Sequence, residues 1–296
     1  MRHPDKIVRK FTRPRLLILG CGDIGMRLLP LVRDRFRVLA VTSGAQRHEE
    51  LRVAGAIPLV ANLDDRNSLA RLGMLAQFIV HMVPPQAEGQ KDQRTRNLTG
   101  FLPDGATLIY VSTTGVYGDC RGAQFDETRP VNPQSDRAKR RIDAEQVLRD
   151  WGRRTAGRLS ILRVPGIYAA DRLPIERLQK KLPALLSEED VYTNHIHADD
   201  LAHIIALALF RAMPNRIYHA VDDSDLKMAD YFDLVADAKQ LLRPPRLPRS
   251  ELASKLSPMA LSFMSESRRL LNTRLTSELG VQLRYPDVKN ALLLPD

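Results

Sequence analysis

The chain is poor in several things that other protein classes require. Only two cysteines, Cys21 and Cys120, occur in 296 residues. That excludes a disulfide framework or a cysteine-rich zinc site and makes a reducing, cytoplasmic compartment the expectation. No apolar run reaches the roughly 20 residues that a bilayer-spanning helix needs, so no membrane partner is expected. The first fourteen residues are basic but have no apolar centre, so they do not read as a secretory signal. Aromatic side chains make up only 5% of the chain. Its basic clusters, at residues 2–15, 137–141, 243–249 and 268–274, are not interleaved with stacking rings as single-strand binders require. Nucleic acid is therefore not the expected partner, despite a net charge of +10. His195 and His197 share a face of an extended segment, but no placed carboxylate or cysteine completes a ligand set, so no metal is expected.

What is present centres on Arg15-Leu-Leu-Ile-Leu-Gly-Cys-Gly-Asp-Ile-Gly25. Residues 16–19 form a short apolar run, suited to a strand buried on both faces. Gly20, Gly22 and Gly25 follow as G-x-G-x-x-G, and residues 26–32 read as the next helix. The first glycine permits a tight turn, the second lets backbone approach a pyrophosphate, and the third lets helix and strand pack closely. With Asp23 and Ile24 between them, these glycines form an expected dinucleotide cradle at a helix N-terminus.

The alternation continues. Strands are expected at 37–41, 57–61, 76–80, 106–111, 159–163 and 216–221, with helices at 48–54, 66–72, 91–102, 138–151, 201–210 and 228–242. Short connections between alternating strands and helices imply an α/β, Rossmann-type doubly wound parallel sheet. The expected division is a basic tail over 1–14, a Rossmann domain over 15–168 plus 196–224, and a small, mostly helical substrate or lid domain over 169–195 plus 225–296. Ligands in such sheets sit at the carboxyl ends of the strands. Thr42, Ser43, Asn62, Leu63, His81, Met82, Val83 and Ser112 are the candidates at those ends, together with Thr113 and Thr114, whose hydroxyls are placed to hold a substrate carbonyl or alcohol.

Val111-Ser-Thr-Thr-Gly-Val-Tyr-Gly-Asp119 resembles the S-S-x-x-V-Y-G-D segment of the NAD(P)-dependent epimerase/dehydratase family, the extended short-chain dehydrogenases. Residues 62–69, 162–168, 194–201 and 274–285 are similar to further motifs of that family. The resemblance implies that Thr113 is the catalytic Ser/Thr and that Thr114 and Tyr117 contact substrate. It also implies that Asn62 and Leu63 hold the adenine, Asn62 standing where the family has Asp. Val164, Pro165 and Ile167 then flank the nicotinamide.

The family's Tyr-x-x-x-Lys pair is absent. Arg137 stands in the tyrosine's place and Arg141 in the lysine's, and no tyrosine lies between Tyr117 and Tyr168. Arginine stays protonated, so Arg137 cannot exchange a proton as the tyrosine does, but it can clamp an anion or polarise a carbonyl. The chain thus resembles the atypical subgroup of the family. An acid at the end of the second strand would favour NAD. Thr42, Ser43 and Gly44 include none and Arg47 follows, so NADP is favoured over NAD.

The leading reading is an NAD(P)-dependent oxidoreductase or epimerase for a sugar nucleotide or similar anionic small molecule, with altered proton chemistry. The alternatives are a non-catalytic NAD(P) sensor or scaffold and, third, an RNA-binding protein on the same fold. A homodimer through the helices after the fourth and fifth strands is what the resemblance implies.

Overall fold

The computed structural model describes residues 13–252 and 254–293; residues 1–12 of the expected basic tail lie outside the described residues. The chain opens with β1 (Arg15–Leu19), α1 (Asp23–Val32), β2 (Arg37–Thr42), α2 (His48–Val53) and β3 (Ile57–Val60). It continues through β4 (Phe78–His81), α3 (Gln93–Thr99), β5 (Thr107–Thr113), the long α4 (Asp136–Thr155) and β6 (Arg158–Val164). The last elements of this series are α5 (Ala198–Arg211), β7 (Arg216–His219) and α6 (Met228–Ala238). One seven-stranded, wholly parallel sheet results, in the order β7-β6-β5-β4-β1-β2-β3.

The apolar run of β1 is explained by this layering. Leu16 and Ile18 face a core shared with α1 and α5, while Leu17 and Leu19 face a second core shared with α3 and α4. A strand covered on both faces needs no polar alternation. Residues 66–72 form the short helix expected there, of the 3-10 type, and its N-cap Asp65 accepts a hydrogen bond from the Asn67 amide. α1 begins at Asp23, three residues earlier than the apolar pattern indicated, because Gly22 already accepts the Met26 amide at 2.9 Å.

Beyond β6 the chain passes through Pro165 into a short strand, Gly166–Tyr168, which pairs in parallel with His195–His197 at the head of α5. Residues 170–172 make a one-turn 3-10 helix over the start of α1. A third core gathers Tyr168, Leu178 and Leu185 with Phe232 and Val235 of α6, Leu252 and Val288. A returning segment, Arg269–Leu270, pairs with Gln124–Phe125 and so lies beside the loop that follows β5.

Candidate functional site

The strand order reverses between β1 and β4, and the crevice outside that point is where a doubly wound sheet receives a ligand. A cavity of about 310 Å³ opens there. It is lined by Gly20, Gly22, Asp23, Ile24 and Gly25 at one end and by Val111, Ser112, Thr113 and Arg141 at the other. Met82, Val164, Pro165, Ile167, Leu201 and Arg172 complete its walls.

The glycine loop behaves as its spacing requires. Gly20 has φ +81°, and a Cβ there would stand 2.9 Å from Val83 Cγ2. At Gly22 a Cβ would meet nothing within 4 Å, so its backbone faces open space. A Cβ at Gly25 would lie 2.7 Å from Cys21 Sγ. Helix α1 has no side-chain cap, which leaves its first amides to an anion or to water. Burial pushes the Cys21 thiol up to about 11, so it is a packing group.

At the other end, Thr113 Oγ1 accepts the Gly115 amide at 3.3 Å, leaving its own proton to donate. Arg141 lies on α4, where Ser135 caps the helix by accepting the Ala138 amide. Its Nη1 donates to the Tyr110 hydroxyl and to the Val111 carbonyl, both at 3.0 Å. Tyr110 is fully buried behind that guanidinium, and burial pushes its hydroxyl up to about 12. Arg137, one turn earlier, does not line the cavity; its guanidinium lies 4.7 Å from the Phe263 ring centroid. The two arginines that replace the family's pair therefore face different surroundings.

Other residues singled out from the sequence stand away from the cavity or spend their polar groups on protein partners. Ser112 reaches its wall, but its hydroxyl donates to Glu145 Oε1 at 2.7 Å. Thr114 is buried. The side chain of His81, expected against the cofactor, is instead fully buried. Its Nε2 is 3.0 Å from Thr95 Oγ1, whose proton goes to Asp92, and burial lowers His81 to about 3. Tyr117, expected as a substrate contact, is turned into the interior: its hydroxyl accepts from Arg163 Nη1 at 2.7 Å and lies 2.6 Å from His219 Nε2. The physical reason is that Arg163 and His219 offer buried partners that a phenol in this loop satisfies.

The adenosine-side candidates lie outside the cavity and are engaged locally. Thr42 Oγ1 donates to the Gly44 carbonyl, Asn62 Oδ1 accepts the Asp64 amide, and the Leu63 carbonyl accepts from Asn97. Ser43 is exposed. Arg47 donates to the Cys21 carbonyl at 2.7 Å, next to the glycine loop, and pairs with Glu50. Arg172 is the cavity residue that the motif reading missed; it stands in the irregular stretch after Tyr168, where neither periodicity nor motif marks it. Past the 170–172 turn a second cavity of about 370 Å³ lies between His197, Tyr285 and Leu292.

Residues 102–278, more than half of the 296, match the family described as the RmlD substrate binding domain. The chain belongs to that family. The match begins after the glycine loop and covers the β5 loop, α4 and the returning segment near Leu270. Among curated proteins nothing matches. Among solved structures, a functionally unknown conserved protein from Silicibacter pomeroyi is 27% identical, with TM-score 0.74 over 94% of this chain and 96% of that one. A putative NAD-dependent epimerase/dehydratase from Methylobacillus flagellatus is 26% identical, with TM-score 0.70 over 95% and 96%. The UDP-glucose 4-epimerase of Thermotoga maritima, solved with UDP-glucose, shares the fold at 16% identity and TM-score 0.75 over 94% and 96%. The resemblance to extended short-chain dehydrogenases and the Rossmann architecture both hold. Among the described residues no helix is long and apolar enough to cross a membrane.

Proposed function

We propose that the cleft binds NAD(P) and that the protein acts as an oxidoreductase or epimerase on a sugar nucleotide or a similar anionic alcohol or carbonyl compound. The observation that carries this reading is that one cavity joins the glycine loop to Thr113 and Arg141. The residues present fit a dinucleotide: an uncapped helix end for the pyrophosphate, and Val164, Pro165 and Ile167 as an apolar wall for a flat ring. When bound, that group supplies or accepts a hydride. Thr113 donates to the substrate oxygen, and Arg141 offers the N–H groups not engaged at Tyr110 and Val111, so the two polarise a carbonyl without transferring a proton. The ionisable groups lining the cavity are Asp23, Arg141 and Arg172. None is a phenol, which supports altered proton chemistry, with the proton exchanged through water or the substrate itself. We take residues 169–195 and 225–296, with their separate core, as the substrate-binding lid. Arg47 is the cation available to a 2′-phosphate and supports NADP over NAD, in competition with its partner Glu50.

The missing phenol equally supports a second reading, a non-catalytic NAD(P) sensor. Calorimetry with NADH and NADPH, followed by incubation with oxidised and reduced cofactor and a panel of sugar nucleotides, tests both. Binding with turnover supports the enzyme; binding with no hydride exchange into any substrate supports the sensor. Absence of binding removes both.

A further inference from the structure

The glycine loop carries a charge of the wrong sign. Asp23 is the first residue of α1, so its negative charge lies beside the uncapped helix end that a pyrophosphate would meet. Two arginines hold that carboxylate. Arg27 Nε donates to Asp23 Oδ1 at 3.0 Å, and Arg172 Nη1 donates to Asp23 Oδ2 at 2.8 Å.

The two arginines differ in their freedom. Arg27 is committed on three sides: besides Asp23, its Nη1 reaches Asp199 at 2.7 Å, and its Nη2 reaches both oxygens of Asp171 at 2.9 Å. Those bonds raise its pKa further, although burial opposes them. Arg172 has Asp23 as its one ion-pair partner among the described residues, and its side chain keeps 36% of its exposure. It lines the cavity, whereas Arg27 lines the neighbouring one. The other cation of this cavity, Arg141, is fixed at the end of β5, two strands from β1 and so about 10 Å away. Among the cations lining the cavity, Arg172 is therefore the one at its pyrophosphate end with donors to spare. Arg47, beside the glycine loop, does not line it and is held by Glu50 and the Cys21 carbonyl.

We propose that Arg172 is the phosphate-binding residue of the cleft. On arrival of a dinucleotide its guanidinium changes partner from Asp23 Oδ2 to the pyrophosphate oxygens, and the 170–172 turn, tethered through Asp171 to Arg27, closes over them. A guanidinium suits this role because its planar fork meets two phosphate oxygens at once. The proposal rests on the dinucleotide reading of the cleft and adds to it the residue that overcomes the repulsion from Asp23.

The test is calorimetry on the full chain with NADPH, NADH and ADP-ribose, for wild type, Arg172→Ala, Asp23→Asn and the double variant, each checked by thermal melting. Arg172→Ala is expected to weaken all three ligands about tenfold or more, as loss of a charge-assisted pair should. The decisive comparison is between the double variant and Asp23→Asn alone. If the loss persists there, Arg172 touches the phosphate. If it disappears there, Arg172 only neutralises Asp23 and the proposal is overturned, as it is if Arg172→Ala binds like wild type. A wild type that binds none of the three overturns the dinucleotide reading itself, an outcome distinct from a wild type that binds without needing Arg172.

Discussion

Tyr117 illustrates how one side chain's role is set by partners far away in sequence. His219 Nδ1 lies 2.9 Å from the Leu271 carbonyl, which can only accept, so Nδ1 carries the proton and Nε2 accepts from the Tyr117 hydroxyl. The phenol oxygen in turn accepts from Arg163, and Arg163 grips both oxygens of Glu145 at 3.1 and 2.7 Å. Burial lowers His219 to about 3 and pushes Tyr117 up to about 12, so both stay neutral and neither exchanges protons near neutrality. Tyr117→Phe should strand Arg163 Nη1 and His219 Nε2 and cost about 1–3 kcal/mol in urea unfolding, with dinucleotide affinity unchanged. A substrate contact would instead leave stability nearly unchanged and raise the KM for the sugar nucleotide. Arg163→Met should cost about 3–5 kcal/mol, because Glu145 is left charged and buried, and adding Glu145→Leu should recover part of that loss. The V-Y-G motif located the loop correctly, but nothing within it shows that a histidine 102 positions later turns the ring inward.

At the scale of elements, the legible parts were those with a repeating physical cause. Strands buried on both faces and helices with an apolar stripe leave periodic traces, and Gly20 and Gly25 sit at close approaches that a side chain could not make. The 170–172 turn leaves no such trace, since a single 3-10 turn has neither period nor cap motif. The end of α4 is also set by geometry that the apolar pattern misses. The helix runs to Thr155 and stops at Ala156, which sits in the left-handed region at φ +52° while its amide donates to the Gly152 carbonyl. A glycine is the unstrained residue there, and the Ala156 side chain is exposed. Ala156→Gly should therefore stabilise the protein by about 0.5–1 kcal/mol, read as a shift in denaturation midpoint at constant slope.

At the scale of the whole molecule, buried histidines and one buried carboxyl shape the response of stability to pH. Burial lowers His81 and His219 to about 3 and His195 to about 4. A histidine with a depressed native pKa binds its proton only on unfolding. Its contribution is therefore complete above about pH 6.5 and is lost as pH falls toward the native value. Three such groups give a slope of up to about 4 kcal/mol per pH unit between pH 4 and 6. Asp222 opposes them. Burial pushes its carboxyl up to about 7, so it gains a proton on folding and its contribution falls as pH rises from about 4 to 7. Its Oδ2 and the neighbouring Tyr168 hydroxyl have no aligned hydrogen-bond partner. Asp222→Asn should therefore make stability rise more steeply with pH over that window, measured by urea unfolding at each pH; an unchanged slope would show that Asp222 does not take up the proton.

The returning strand at Leu270 has a consequence for the order in which the protein is made. Leu271 supplies the carbonyl that orients His219, and so Tyr117, yet it is translated 154 positions after Tyr117. At ribosomal rates of roughly 5–20 residues per second, the loop after β5 waits on the order of ten seconds for its anchor. β1, the glycine loop and α1 are by then complete. A chain stopped at residue 265 should be cut by protease within residues 112–118 faster than the full chain, and equal rates would show that the loop needs no anchor. The glycine-loop end of the cleft is thus built first, and the loop beyond Thr113 takes its final shape only after Leu271 has been made.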